Sequence, residues 1–204
     1  MKGFYKILKR LIDIVGSIVA LIVFFPISVI IALRIKMEDG GPVLYQQNRV
    51  GKNGKVFSMW KFRSMIVGAH AMKKNIADMN EVDGPIFKIK DDPRITKVGK
   101  YIRAHSLDEI PQFINVLQGT MSLVGPRPAL PEEVEEYSGA AMQRLTVKPG
   151  ITGLWQVSGR SNLTYELMIK LDLTYVREAT ILLDLKILIM TLIQMFFPGK
   201  SGAY

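Results

Sequence analysis

The stretch of this 204-residue chain that holds the most reactive groups is Arg103-Ala104-His105-Ser106-Leu107-Asp108-Glu109-Ile110-Pro111-Gln112-Phe113. Two adjacent carboxylates lie in it, and a carboxylate can serve as a nucleophile in group transfer. The same residues have a plainer reading. Ser106 with Glu109 three positions later matches a capping box, and acids at a helix start complement its dipole. Pro111 weighs against a cap at Ser106, since the proline would then fall beyond the first turn, and favours a start at Asp108. On spacing alone, simple helix initiation is the stronger reading of the pair. Other reactive types are scarce. With no cysteine there is no disulfide, thiolate zinc site or cysteine nucleophile, which is compatible with a reducing cytosolic face. His70 and His105 lie far apart in sequence, and their spacing suggests no metal pair. The net charge of +9 calls for an acidic partner: nucleic acid, anionic lipid or a phosphorylated substrate.

The elements that must position these groups begin with an apolar segment. Residues 14–33 carry no charge, and about 20 residues at about 1.5 Å each would just cross a bilayer core. Pro26 interrupts the segment, and both flanks are basic: Lys2, Lys6, Lys9 and Arg10 before it, Arg34 and Lys36 after it. Positive flanks tend to stay in the cytosol, so the pattern predicts a re-entrant helical hairpin bent at Pro26, with a straight kinked span as the alternative. Two short strands follow, Val43-Leu44-Tyr45 and Val56-Phe57-Ser58-Met59-Trp60, and Asn53-Gly54 between them suits a hairpin turn. Residues 69–79 have helical character. Asp83-Gly84-Pro85 and Asp91-Asp92-Pro93 then punctuate a basic, loop-rich passage. A helix is expected over residues 108–117 with Gly119 as its stop, and another over residues 165–197, either packed in the core or lying at a membrane interface. The fold expected is a helix-rich α+β unit with a small antiparallel β-hairpin and interfacial amphipathic helices. Residues 1–36 form the membrane hairpin and 37–204 the catalytic part of one continuous unit.

Ser106-Leu107-Asp108-Glu109-Ile110-Pro111-Gln112 followed by Met121-Ser122-Leu123-Val124-Gly125-Pro126-Arg127-Pro128 resembles the small monotopic phosphoglycosyl transferases, also called bacterial sugar transferases. Lys61-Phe62-Arg63-Ser64-Met65, Asp91-Asp92-Pro93-Arg94-Ile95-Thr96, Lys148-Pro149-Gly150-Ile151-Thr152-Gly153 and Trp155-Gln156-Val157-Ser158-Gly159-Arg160 resemble that family in the same order. The resemblance covers nearly the whole chain, and its colinearity makes it more specific than any one motif. It implies transfer of a sugar phosphate from a UDP-sugar to a polyprenol phosphate, with release of UMP. Asp108 would attack the β-phosphate and carry the phosphosugar, Glu109 would assist, and Mg2+ would sit beside Asp108. The resemblance further implies that Arg103 holds phosphate and that the Pro126-Arg127-Pro128 loop lies near the nucleotide. A guanidinium fork suits bidentate phosphate contacts. Lys61, Arg63 and Arg160 are further phosphate-contact candidates. The setting implied is the cytosolic face of a bacterial inner membrane, with membrane lipid as partner and a product that starts a surface glycan. A homodimer is compatible with the sequence. Two departures from the family are Phe25 before Pro26, where members often have serine, and Thr120, where many are acidic. The rivals are a non-catalytic membrane adaptor and a nucleic-acid binder; no nucleic-acid-binding motif supports the latter.

Overall fold

The computed structural model describes residues 3–69, 71–72, 89, 91–159 and 163–196. Most of the helix expected at residues 69–79, the turn at Asp83-Gly84-Pro85, His70 and Arg160 lie outside them.

The apolar N-terminus forms α1, Gly3–Asp39, which runs without a break through Pro26 and is long and apolar enough to cross a membrane. Near the proline, Ser28 Oγ donates to the Phe24 carbonyl at 2.7 Å, a back-bond that bends helices slightly. One stripe of α1 faces the protein along its whole length. Asp13 and Ser17 are buried before the proline, Ile31 and Ile35 after it, and Phe24 and Ile27 are packed between. Phe4, Ile7, Leu11, Val15, Ile22, Phe25 and Leu33, by contrast, are exposed.

The expected hairpin is present as β1, Leu44–Val50, antiparallel to β2, Val56–Phe62. Asn53 and Gly54 at its tip both have positive φ, the backbone that an Asn-Gly hairpin turn requires. α2, Lys97–Ala104, is capped by Thr96, whose hydroxyl accepts from the Gly99 amide at 2.9 Å. Any Cβ on Gly99 would stand 1.9 Å from the Ser64 carbonyl, so only glycine lets α2 lie this close to the end of β2. The helix expected from Asp108 starts later: α3 is Gln112–Gln118, with Pro111 at its N-cap and Gly119 (φ +83°) closing it. Asp108 and Glu109 sit instead in a single 3-10 turn, Leu107–Glu109, ahead of the proline.

A second small sheet, invisible in the sequence pattern, pairs β3, Ser122–Val124, in parallel with β4, Gly150–Thr152. In the chain, α4, Pro131–Glu135, follows β3, and α5, Leu154–Val157, follows β4. The single helix expected over 165–197 is two. α6, Tyr165–Glu178, ends before Thr180, and that residue caps α7, Ile181–Phe196, by accepting from the Leu183 amide. Ile187 of α7 is fully buried whereas Leu182, Ile189, Leu192 and Ile193 are exposed, so this helix serves the core with one face and offers apolar surface with the other.

Two apolar clusters hold the unit together. Met59, Val116, Met121, Val124, Val157, Tyr175 and Ile187 form one, beneath β3. Ile31, Ile35, Phe62, Ile102, Leu107 and Ile110 form the other, which joins α1 to the 3-10 turn. Polar ties fix the first half of α1. Arg10 donates to the Val116 and Leu117 carbonyls at 2.6 and 2.8 Å, capping the C-terminal end of α3. Asp13 accepts from Ser122 Oγ and the Leu123 amide, both at 2.9 Å.

Candidate active site

The 3-10 turn takes its orientation from its neighbours. Ser106 enters it in the left-handed region (φ 54°) and makes no capping bond with its side chain, so the capping-box reading of Ser106 and Glu109 does not hold. Leu107 and Ile110 on either side of the acidic pair are buried against Ile31 and Ile35 of α1. With these apolar neighbours directed at α1, the acids meet β2. Lys61 Nζ lies 2.9 Å from Glu109 Oε1 and 3.5 Å from Asp108 Oδ2. α3 fixes this register through Asn115, which is almost fully buried. Its Oδ1 accepts from the Trp60 amide at 2.9 Å and its Nδ2 donates to the Ser58 carbonyl at 2.8 Å. One amide side chain thus holds the strand that carries Lys61 to the helix that follows the acids.

The two carboxylates share one cation and respond differently. Asp108 is buried, at 8% exposure, and burial pushes its carboxyl above the ordinary range; Lys61 opposes the shift, Glu109 adds to it and Arg103 opposes it. Burial acts on Glu109 in the same sense. The charge and hydrogen bond of Lys61, with the Gln112 amide and the charge of Arg127, outweigh it and hold Glu109 below its ordinary value. The result is an ionised Glu109 beside an aspartate whose negative charge is poorly solvated.

Arg127 approaches from β3. Its loop starts where the backbones of Gly125 and Gly150 meet so closely that a Cβ on Gly150 would stand 2.1 Å from the Gly125 nitrogen. The loop is tied to the end of β1 by an antiparallel bridge between Val50 and Ala129 and by Arg49 Nη1 donating to the Pro128 carbonyl at 3.0 Å. Arg127 Nη1 contacts both oxygens of Glu133, at 3.0 and 3.2 Å, and Glu133 is itself buried and accepts from the Leu130 amide. Burial lowers the affinity of Arg127 for its proton, and Glu133 more than restores it. Two clefts meet at Arg127, Tyr137 and Arg144, one of about 220 Å3 and the other of about 250 Å3.

Lys61, Asp108, Glu109 and Gln112 are therefore brought together, with Arg103 and Arg127 close enough for their charges to act on the acids. Arg103 has no ion pair among the described residues. Arg63 is engaged elsewhere: it grips both oxygens of Asp39 at 2.5 Å and donates to the Pro42 and Met65 carbonyls, tying the end of β2 to the end of α1. Thr120, at the position where family members are often acidic, donates to the Asn115 carbonyl at 3.1 Å. Sequence reasoning missed Gln112, Glu133 and the Arg144–Asp172 ion pair at 2.6 Å. The signal for Glu133 was present in the acidic pair Glu132-Glu133 just beyond the Arg127 loop. Among the described residues no group of three or more histidine or acidic side chains could hold a metal.

The chain resembles known proteins over nearly its whole length. The family model described as bacterial sugar transferase matches residues 4–198. The chain is 49% identical over 194 residues to a protein named galactosyl transferase CpsE from Streptococcus agalactiae serotype III, covering 93% of this chain and 43% of that one. It is 44% identical to an undecaprenyl-phosphate galactose phosphotransferase from Salmonella typhimurium, covering 98% of this chain and 42% of the relative. To the exopolysaccharide production protein ExoY of Rhizobium meliloti it is 39% identical, over 90% of this chain and 83% of the relative. The chain thus spans less than half the length of the first two relatives and most of the third. From its match over almost every residue, acidic turn and arginine loop included, the chain belongs to the bacterial sugar transferase family.

Proposed function

We propose that the protein moves a sugar 1-phosphate from a UDP-sugar to a polyprenol phosphate at the cytosolic face of a bacterial inner membrane, beginning a surface glycan. The observation that carries this reading is the setting of Asp108. It is a buried carboxylate beside Lys61, on a turn whose flanking residues lean on the apolar helix α1. The turn thus sets this carboxylate between a polar strand and the apolar helix.

In the first step an Asp108 oxygen attacks the β-phosphorus of the donor. The new bond is carboxyl oxygen to phosphorus, and the bond from that phosphorus to the oxygen bridging the α-phosphate breaks, so UMP departs with the electron pair. In the second step a phosphate oxygen of the polyprenol phosphate attacks the same phosphorus and the Asp108 carboxylate leaves, giving a polyprenol diphosphate sugar. Splitting the transfer lets reactants of opposite solubility meet the same carboxylate in turn. The ammonium of Lys61 and the guanidinium groups of Arg103 and Arg127 supply positive charge for the donor's phosphates, and in-line phosphoryl transfer depends on such neutralisation. Asp108 and Glu109 form an oxygen-only pair, which fits Mg2+, an ion that takes one or two carboxylates and completes its shell with substrate phosphates and water. When bound there it would neutralise diphosphate oxygens.

The monotopic placement of α1 is supported by its contacts on both sides of Pro26. Arg10 and Asp13 are bound to α3 and β3, while Ile31 and Ile35 pack on the acidic turn. Both halves rest against one body, as a re-entrant helix would. The names of the Salmonella and Rhizobium relatives support a lipid-linked galactose or a related hexose and an exopolysaccharide product.

The deciding experiment incubates the purified protein with a panel of UDP-sugars, Mg2+ and undecaprenyl phosphate, scoring UMP. With acceptor withheld, intact-mass spectrometry is expected to find the chain heavier by one phosphosugar, and Asp108→Asn is expected to show neither adduct nor turnover. Turnover with a persistently unmodified chain would remove the covalent step. A lack of UMP with every donor would favour the adaptor reading.

A further inference from the structure

Four arginines are buried among the described residues: Arg49, Arg63, Arg94 and Arg144. Three of them grip a carboxylate. Arg63 holds Asp39 at 2.5 Å, Arg94 holds Asp92 at 2.6 Å and Arg144 holds Asp172 at 2.6 Å. Arg49, on β1, forms no ion pair among the described residues. Its guanidinium meets neutral acceptors instead: Nη1 donates to the Pro128 carbonyl at 3.0 Å and Nη2 to Gln47 Oε1 at 2.7 Å, while Nε has no partner among them. Burial weakens the hold of Arg49 on its proton and the charge of Arg127 weakens it further, so that its pKa is lowered to about 10. Glu133, Glu109 and Glu132 only partly oppose this. A buried charge with no opposite partner is destabilising, and a neutral side chain here would serve the fold at least as well.

The charge balance of the Arg127 loop gives this cation a use. Burial favours the neutral form of Glu133, but Arg127 and the Leu130 amide outweigh it and keep Glu133 ionised. Arg127 and Glu133 then cancel, and the pair alone offers a phosphate little net attraction. Arg49 acts on Arg127 through space and on its loop through Pro128, leaving the three groups with one net positive charge. The strand register also sets Arg49 beside the acidic turn. Tyr45 pairs with Lys61, and residues an even number of places apart on a strand share a face, so Arg49 and Lys61 stand on one face of the hairpin. Lys61 meets Glu109 from that face, and the charge of Glu109 reaches Arg49 as well. Resting on the donor assignment above, we infer that Arg49 is a positioning residue for the donor's phosphates. It steadies the Arg127 loop through Pro128 and gives the site a surplus positive charge that a diphosphate neutralises. The counter-charge that the chain does not supply arrives with the donor.

The test supplies the missing carboxylate. Gln47→Glu is nearly isosteric and gives Arg49 a charged partner with its contacts in place. Arg49→Gln removes the cation itself, and Arg49→Lys restores the charge without the fork. The full chain in detergent is titrated with UDP by calorimetry at low and at high salt. Gln47→Glu and Arg49→Gln are each expected to bind UDP on the order of tenfold more weakly at low salt, the effect of one unit charge across roughly 10 Å of protein, with a smaller deficit at high salt. Arg49→Lys is expected to recover most of the affinity. With a UDP-sugar as substrate, KM is expected to rise by the same factor, a change that a smaller folded fraction would not produce. Unaltered UDP affinity in Gln47→Glu would overturn the inference, and so would a loss in Arg49→Gln that the lysine does not recover. Should Arg49→Gln not fold, Gln47→Glu alone decides. A wild-type protein that releases UMP from no donor overturns the transferase reading, a result separable from the UDP titrations.

Discussion

Asp108 holds its charge against the preference of its surroundings. Burial dominates the shift of its carboxyl, and Lys61 only partly offsets it. The folded chain therefore binds this proton more tightly than the unfolded chain does. Stability associated with the site is present below the ordinary carboxylate range, near pH 4, and is lost as pH rises through the raised folded value. Asp108→Asn removes the titration while preserving shape. We expect the variant to melt a few degrees above wild type at pH 7 and at nearly the same temperature at pH 4, as measured by thermal unfolding in detergent at both values. A variant less stable than wild type at neutral pH would mean that attraction to Lys61 exceeds the burial penalty. Activity should follow the same proton: the acidic limb of the rate profile is expected above the range of an exposed aspartate, because the carboxylate proposed as nucleophile must be ionised.

At the scale of elements, the site is a junction of β2, the acidic turn and α3, and Asn115 fastens the three. Asn115→Ala would leave the Trp60 amide and the Ser58 carbonyl without their partner. The expected loss is about 2–4 kcal/mol by chemical denaturation, with turnover reduced beyond what the unfolded fraction explains, since Lys61 would no longer be fixed opposite Asp108. Much of this arrangement was legible in the residues. Asn53-Gly54 announced the hairpin, Gly119 the end of α3, and the acidic pair with the Gly-Pro-Arg-Pro loop the residues worth watching. Other features were not legible, for physical reasons. The pairing of β3 with β4 joins segments of three residues each, too short for an alternating pattern, and it depends on the contact of Gly125 with Gly150 across the chain. Ser106 and Glu109 satisfied a local capping rule that lost to tertiary bonds, because Lys61 and Gln112 claim the glutamate. Arg63 sits in the same motif as Lys61, yet its partner Asp39 lies at the end of another element, and no local spacing reports such a pairing.

Among the described residues, the outward faces of α1 and α7 carry most of the exposed large apolar side chains. If both halves of α1 rest on one body beneath a single leaflet, its two ends lie on the same side of the membrane. The chain has no cysteine, so single substitutions report cleanly. Lys6→Cys and Lys36→Cys, both exposed positions, are expected to react with an impermeant thiol reagent in inverted inner-membrane vesicles and to stay unlabelled in intact spheroplasts. Opposite reactivity of the two sites would make α1 a span.

The grip of Arg10 on the closing carbonyls of α3, and of Asp13 on Ser122 and Leu123, has a practical consequence for anyone wishing to handle this protein in water. Deleting α1 would not free a soluble body; it would uncover Leu123, which packs on Gly16, and strip three main-chain groups of their partners. A chain begun at residue 40 is expected to aggregate on expression, whereas exchanging outward residues such as Ile22 and Phe25 for polar ones should improve dispersal and keep the interior intact.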